Sequence, residues 1–245
     1  MSLIEEIDSL SSGALDDIAA ALDAIRDAGY RRVIVLPISS QLSSAYNLLC
    51  LQAQERTDLE VAVFDSKTSS VGLGALAVQT AQYAERGLPF HVLKKLVEQL
   101  IQDTPVFFSI DTLEYLQRGG RIGKVTALAG TLLNIKPVIT FDATGTLAPC
   151  AKVRGRKAVQ PWLVERVVSE VEKAKAQSGG RVRFNLLMAD GHAPEEGDAL
   201  QAALTAALPG YEQLIRGQVD ATLAVHVGPG LLGAGVQILR SELPG

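Results

Sequence analysis

Arg32-Val33-Ile34-Val35-Leu36-Pro37-Ile38-Ser39-Ser40-Gln41-Leu42-Ser43-Ser44 decides the fold class. After Arg32 comes an apolar run rich in β-branched residues, which reads as a buried strand. The serines that follow lead into a helix from residue 42 to about 56. Upstream, Ile18, Leu22 and Ile25 share one helical face, and Gly29 is a stop signal. Downstream, residues 59–64 form a second strand pattern, residues 72–85 and 90–102 two helices, and residues 106–110 a further strand. Strand–helix–strand repetition of this kind implies parallel pairing with right-handed crossovers.

The second half reads differently. Pro137-Val138-Ile139-Thr140-Phe141, a turn at Asp142-Ala143-Thr144-Gly145, and residues 146–153 form an antiparallel hairpin pattern. A long helix is expected from about 156 to 177, bent or started at Pro161 and ended by Gly179-Gly180. Residues 181–189 read as a strand, 194–208 as a helix opened by proline, and 211–216 as another strand. The apolar run 221–225 reads as a buried strand that delivers His226 to the sharp turn Gly228-Pro229-Gly230. The expected fold is therefore α/β with two domains. Residues 1–104 form a parallel-sheet α/β domain, and residues 105–245 form an α+β domain with a largely antiparallel sheet.

The chain has 245 residues, a net charge of −4 and 47% hydrophobic residues, enough for a substantial core. No clustered run of Lys and Arg marks a nucleic-acid footprint. Cys50 and Cys150 lack metal-ligand spacing and form no disulfide framework, so neither a metal nor a cofactor is expected. No transmembrane stretch and no signal peptide are read, and a cytoplasmic location follows by default.

Four loops stand out. In parallel α/β sheets, ligands sit beyond the carboxyl ends of the strands. Ser39-Ser40 follow one strand and Asp65-Ser66 the next, so both loops should face one crevice. The stretch Ser39–Ser44 supplies hydroxyls and a helix N-terminus, which together suit a carboxylate or phosphate. Plain N-capping accounts for such serines equally well. Arg118-Gly119-Gly120-Arg121 sets two arginines around a flexible Gly-Gly, either an anion grip or a solvated surface turn. Arg154, in the basic run 152–157, leaves a strand end where it can face a crevice or solvent. His226 is positioned for proton exchange near neutral pH.

Taken together, these motifs resemble the DegV family of bacterial fatty-acid-binding proteins over about residues 11–240. Ser39-Ser40-Gln41-Leu42-Ser43-Ser44-Ala45-Tyr46 matches the family's Ser-Ser-x-Leu-Ser-Gly-Thr-Tyr loop. Asp65-Ser66 with Gly72-Leu73-Gly74, Leu113 to Arg121, and His226 to Gly230 match the others. The resemblance implies a protein that is not itself an enzyme. It buries a long-chain fatty acid between two domains and presents the carboxyl group to a separate ATP-dependent kinase subunit for acyl-phosphate formation. Transient membrane contact for lipid exchange is compatible with that role.

By the same resemblance, Ser40 is the carboxylate donor, with Ser39 and Ser43 beside it. Arg154, His226 and Gly228 belong to the phosphotransfer end. Ser11, Asp65, Ser66 and Arg121 are further candidates. Ser11 enters because Leu10-Ser11-Ser12-Gly13 occupies the place of the family's upstream Thr-Ser-Gln-Pro loop without its pattern. The chain is also short at its N-terminus relative to the family, lacking the first strand and an Asp-Ser loop, so an exposed sheet edge is expected. Burying an acyl chain contributes about 0.8 kcal/mol per methylene, provided the carboxylate meets donors. Two rival readings are a serine esterase using Ser40, Asp65 and His226, and a truncated remnant with a collapsed cavity.

Overall fold

The computed structural model describes residues 3–128 and 134–240, with side chains from residue 15 onward. Helix α1 (Leu3–Asp27) leads into β1 (Arg32–Val35), α2 (Ala45–Glu55), β2 (Glu60–Val63), α3 (Ser70–Glu85) and α4 (Phe90–Gln102). Next come β3 (Val106–Ser109), the short α5 (Glu114–Arg118), a 3-10 turn (Gly123–Leu128), β4 (Ile135–Phe141) and β5 (Leu147–Arg154). A second 3-10 turn (Arg156–Ala158) precedes α6 (Val159–Gln177), β6 (Arg183–Gly191), α7 (Pro194–Ala207), β7 (Leu214–Gln218), α8 (Ala221–Val227) and β8 (Leu231–Leu239).

The fold is mixed α/β with two sheets. Strands β1 and β2 pair in parallel, Arg32 opposite Glu60. The other sheet has six strands in the order β5-β4-β3-β8-β6-β7, antiparallel throughout except for β6–β7. Parallel pairing thus holds for the first two strands and fails for residues 106–109. Strand β3 runs antiparallel to both β4 and β8 and belongs to the larger sheet. Periodicity identifies a strand but carries no direction.

Two further corrections concern the C-terminal end. The run 221–225 is helical: Asp220 caps α8 by accepting the Leu223 N–H at 2.9 Å. Strand β8 was not foreseen, yet it lies at the centre of the sheet with all nine residues buried. Strand β7 begins three residues later than expected.

Alternation along β6 and β8 explains their continuous apolar character, because both faces are covered. Leu186, Met188 and Val236 pack against Leu163, Val167, Leu200 and Leu204 of α6 and α7. On the other face, Leu187 and Ala189 meet Val71 and Ala75 of α3. Helix α4 bridges outward, packing Leu93 and Leu96 with Ile34 and Ala62 of the small sheet. A buried polar island crosses the α3 face. Asn185 donates to Gln79 (3.3 Å) and Gln237 (3.0 Å), and Gln237 donates to Thr104 (3.4 Å). These bonds satisfy most of its buried polar groups and tie α3 and the end of α4 to one register on the sheet.

Glycines let β8 sit close to its neighbours. A Cβ at Gly235 would lie 2.7 Å from the Pro105 carbonyl oxygen and 2.8 Å from Val106 Cγ1. Gly74, on the exposed face of α3, has nothing within 4 Å. Gly235→Ala is therefore expected to destabilise the fold by about 1–3 kcal/mol. Gly74→Ala should stabilise it by about 0.5–1 kcal/mol. Urea denaturation of both variants checks the opposite signs.

Candidate functional site

Parallel pairing of β1 and β2 sets the loops that follow them side by side. The Ser40 hydroxyl donates to Asp65 Oδ2 at 2.5 Å and its N–H to Oδ1 at 3.0 Å. Lys67 N–H donates to the same carboxylate at 3.1 Å. Ser39 is fully buried. Its hydroxyl donates to the Gly145 carbonyl at 2.8 Å, and its N–H to the Thr68 carbonyl at 2.9 Å. Buried Ser66 donates to the Thr68 carbonyl at 3.3 Å. Ser43 accepts the Ala45 N–H at 3.2 Å, while Ser44, at the cap position of α2, makes no side-chain cap.

The hairpin turn that receives Ser39 is itself rigid. Asp142 accepts from Lys124 at 2.6 Å and from Thr144 Oγ1 at 2.6 Å, which holds its carboxyl well below the usual carboxylate range. Gly145 has φ +84°, and a side chain there would overlap Ser39 Oγ.

The other two motif loops interlock. Half-buried His226, near the end of α8, lies against Gly119 so closely that any side chain at 119 would overlap the imidazole. Its Nδ1 is buried and has no hydrogen-bond partner among the described residues. Gly228, at φ +70°, would place a Cβ 2.5 Å from the Tyr115 ring. Arg121 ties this pair to the serine loop, donating to the Leu42 carbonyl at 3.2 Å and the Gly119 carbonyl at 2.7 Å. Ser39, Ser40, Ser43, Asp65, Ser66, Arg121, His226 and Gly228 thus belong to one connected set of loops.

Two candidates stand apart. Arg154 is exposed at the end of β5, paired with Ile135 through the backbone, and its guanidinium makes no hydrogen bond or ion pair with another described residue. Ser11 lies within the α1 backbone rather than in a loop, and its side chain falls outside the described residues. The esterase arrangement is not formed: Ser40 bonds Asp65 directly with no imidazole between them, and His226 packs on Gly119.

Of the basic run, it is Arg156 that reaches the C-terminal turn. Its Nη1 donates to the Gly230 carbonyl at 2.6 Å, and its Nε donates to Glu196 at 2.9 Å. Gly155, at φ +81°, turns the chain between the two arginines. Asp111 completes the cluster with Lys136 (2.7 Å) and Arg156 (3.6 Å). Arg156 holds the Glu196 carboxyl below the usual range.

An apolar slot of about 60 Å³ lies where α3, the six-stranded sheet and α8 meet. Val71, Phe108, Phe141, Leu223 and Val227 line it, and Ser69 and Ser70 are its polar side chains. Sequence reasoning missed Leu223 and Val227 as lining because α8 read as a strand. A wider groove between the ends of α6 and α7 and the start of β6 is rimmed by Lys175, Arg181 and Arg240. It lies at the other end of the sheet and shares no residue with the motif loops.

The fold and the slot define a two-sheet α/β protein with an apolar cavity where α3, the six-stranded sheet and α8 meet. A family model described as "Uncharacterised protein, DegV family" matches residues 4–238. The chain belongs to the DegV family. It is 31% identical over 239 residues to a DegV domain-containing protein of Clostridium perfringens, covering 96% of this chain and 81% of that one. Among solved structures, a DegV family protein from Thermus thermophilus, described as fatty-acid-binding, superposes with a TM-score of 0.77 at 30% identity. The match covers 92% of this chain and 77% of that one. A stearic-acid-binding protein from Eubacterium ventriosum gives 0.78 at 26% identity, covering 91% and 75%.

Because the folded-state pKa of Glu196 is lowered, the stabilisation it gives is full above the ordinary glutamate value of about 4.3 and is lost as pH falls through the folded value. Glu196→Gln should therefore lower the melting temperature at pH 7. The gap to the unsubstituted protein should narrow as acid is added below about pH 4.3. Thermal melts across that range check both statements.

Proposed function

We propose that this chain carries a long-chain fatty acid in the slot between α3, the six-stranded sheet and α8, and presents its carboxyl group to a separate ATP-dependent kinase subunit in the cytoplasm. The observation that carries the reading is the slot itself. It is apolar on every side but one, and it is lined from both parts of the chain. The family relatives described as fatty-acid-binding, at 30% and 26% identity, support the ligand class.

At about 60 Å³ the slot is smaller than the roughly 300–1,000 Å³ of ordinary ligand sites. An acyl chain enters by parting side chains, not backbone. Leu223 and Val227 stand on a helix of seven residues, the shorter of the two helices in the wall, and are the groups to move. The protein supplies binding and orientation, and the kinase supplies the chemistry. The interlocked loops of Ser40, Arg121, His226 and Gly228, with exposed Arg154, are the face offered to the kinase. The unpaired guanidinium of Arg154 suits a phosphate-bearing partner.

Organic extraction of the purified protein followed by mass spectrometry is expected to recover a long-chain fatty acid in near-stoichiometric amount. No lipid, and none taken up from added palmitate or oleate, would overturn the reading in favour of a non-binding remnant. Leu223→Trp, which fills the slot, should lower loading about tenfold. His226→Ala should leave loading unchanged and impair kinase-dependent phosphorylation of the bound acid.

A further inference from the structure

We propose a second small-molecule site, separate from the acyl slot, in the pocket between the loop after β2, the end of α4 and the β4–β5 turn, with a small amphipathic monocarboxylate as its ligand. The proposal goes beyond the carrier reading and does not depend on it.

The pocket has a volume of about 400 Å³, within the roughly 300–1,000 Å³ of ordinary ligand sites. Val106 and Phe141 line both it and the slot, and the two cavities share no other lining residue. Ile101 and Pro105 extend its apolar wall. Unlike the slot, it also carries charged side chains, Lys67 and Asp142.

Thr68 is the group in this wall that calls for a ligand. It is 4% exposed, and its Oγ1 is buried with no hydrogen-bond partner among the described residues. Its backbone is fully engaged: the N–H donates to Ser66 Oγ at 3.4 Å, and the carbonyl accepts the Ser39 N–H at 2.9 Å and the Ser66 hydroxyl at 3.3 Å. The side chain is held in place against α3, where a Cβ on Gly72 would lie 2.5 Å from Oγ1. A fixed, buried hydroxyl without a partner is costly, and an acceptor in the pocket would remove that cost. Thr104, the other hydroxyl of the wall, is already satisfied. It donates to the Leu100 carbonyl at 2.6 Å and accepts from Gln237 at 3.4 Å.

Charge sets the ligand class. The Asp142 carboxylate is offset by Lys124 at 2.6 Å and also accepts from Thr144 and Thr146. Exposed Lys67 has no ion-pair partner among the described residues. The wall therefore carries one uncompensated positive charge. A monocarboxylate balances it, with one oxygen accepting from Thr68, the charge facing Lys67 and the hydrocarbon body against Ile101, Pro105, Val106 and Phe141. A dianion would leave excess negative charge beside Asp142. Because the Thr68 carbonyl holds Ser39 and Ser66, the site backs directly onto the serine loop.

The test is an amide-resonance titration of the full chain with hexanoate and with hexanol, yielding both dissociation constants. Hexanoate should saturate one site, shift the amides of Lys67, Thr68 and Ala143, and bind on the order of tenfold more tightly than hexanol. Thr68→Val should weaken hexanoate about tenfold and leave palmitate binding unchanged. Its melting temperature should not fall, since the buried hydroxyl it removes has no partner. Thr68→Ser keeps the hydroxyl and should keep the affinity. Lys67→Asn should abolish the preference for acid over alcohol; asparagine is chosen because the backbone there has φ +53°, which it tolerates. No saturable hexanoate binding, or binding undiminished in Thr68→Val because the hydroxyl meets only water, would overturn the site. So would loss of hexanoate in Leu223→Trp with Thr68→Val unaffected, which would place the small acid in the slot and leave the carrier reading standing.

Discussion

The last strand, Leu231–Leu239, holds the structure together by running between β3 and β6. It pairs with nine successive residues of β6 and four of β3, and it is buried on both faces. A strand in that position must enter the sheet from a sharp turn and must sit close to its neighbours. Gly230 has φ +82°, and a Cβ there would lie 2.5 Å from the Asp111 carboxylate. Its N–H is bound to the Gly191 carbonyl at 2.7 Å and its own carbonyl to Arg156 at 2.6 Å. The turn is pinned from both sides, so the helix before it and the strand after it are placed by the same contacts. His226 and the lining residues Leu223 and Val227 lie on that helix.

How much of this was legible in the sequence differs by element. The adjacency of Ser40 and Asp65 follows from parallel pairing alone, since two neighbouring parallel strands end on the same side. The β4–β5 hairpin was legible from its turn residues. The stretch 221–227 was misread because a short apolar run looks the same whether it is a buried strand or a helical turn. Asp220, a good capping residue directly before it, was the available signal. Strand β8 escaped notice because two glycines interrupt it and both faces are buried, which removes the alternation that marks a half-exposed strand.

The site was legible in outline and not in its hydrogen bonds. Motif spacing brings the serine loop, the Gly-Gly-Arg loop and the His-x-Gly-Pro-Gly turn together, and the contacts of Gly119, Arg121 and Gly228 show why those residue types are needed there. Which serine keeps a free hydroxyl is decided by neighbours distant in sequence, Gly145 for Ser39 and Asp65 for Ser40. Which arginine reaches the turn is decided by one positive φ angle at Gly155. Neither fact leaves a trace in local pattern.

Burial divides the labour between the two faces of the C-terminal turn. Gly230 belongs to the charged cluster of Asp111, Lys136, Arg156 and Glu196, and the next residue, Leu231, lines the apolar slot. The cluster is fully paired, so its charges are offset locally and stiffen the turn without attracting an anion. The slot has the opposite character, with few polar groups, all at the start of α3. Between them, α8 is capped by Asp220 at one end and held by Gly228 against Tyr115 at the other. The lining side chains Leu223 and Val227 and the imidazole of His226 therefore stand on one short helix whose two ends are fixed by different neighbours.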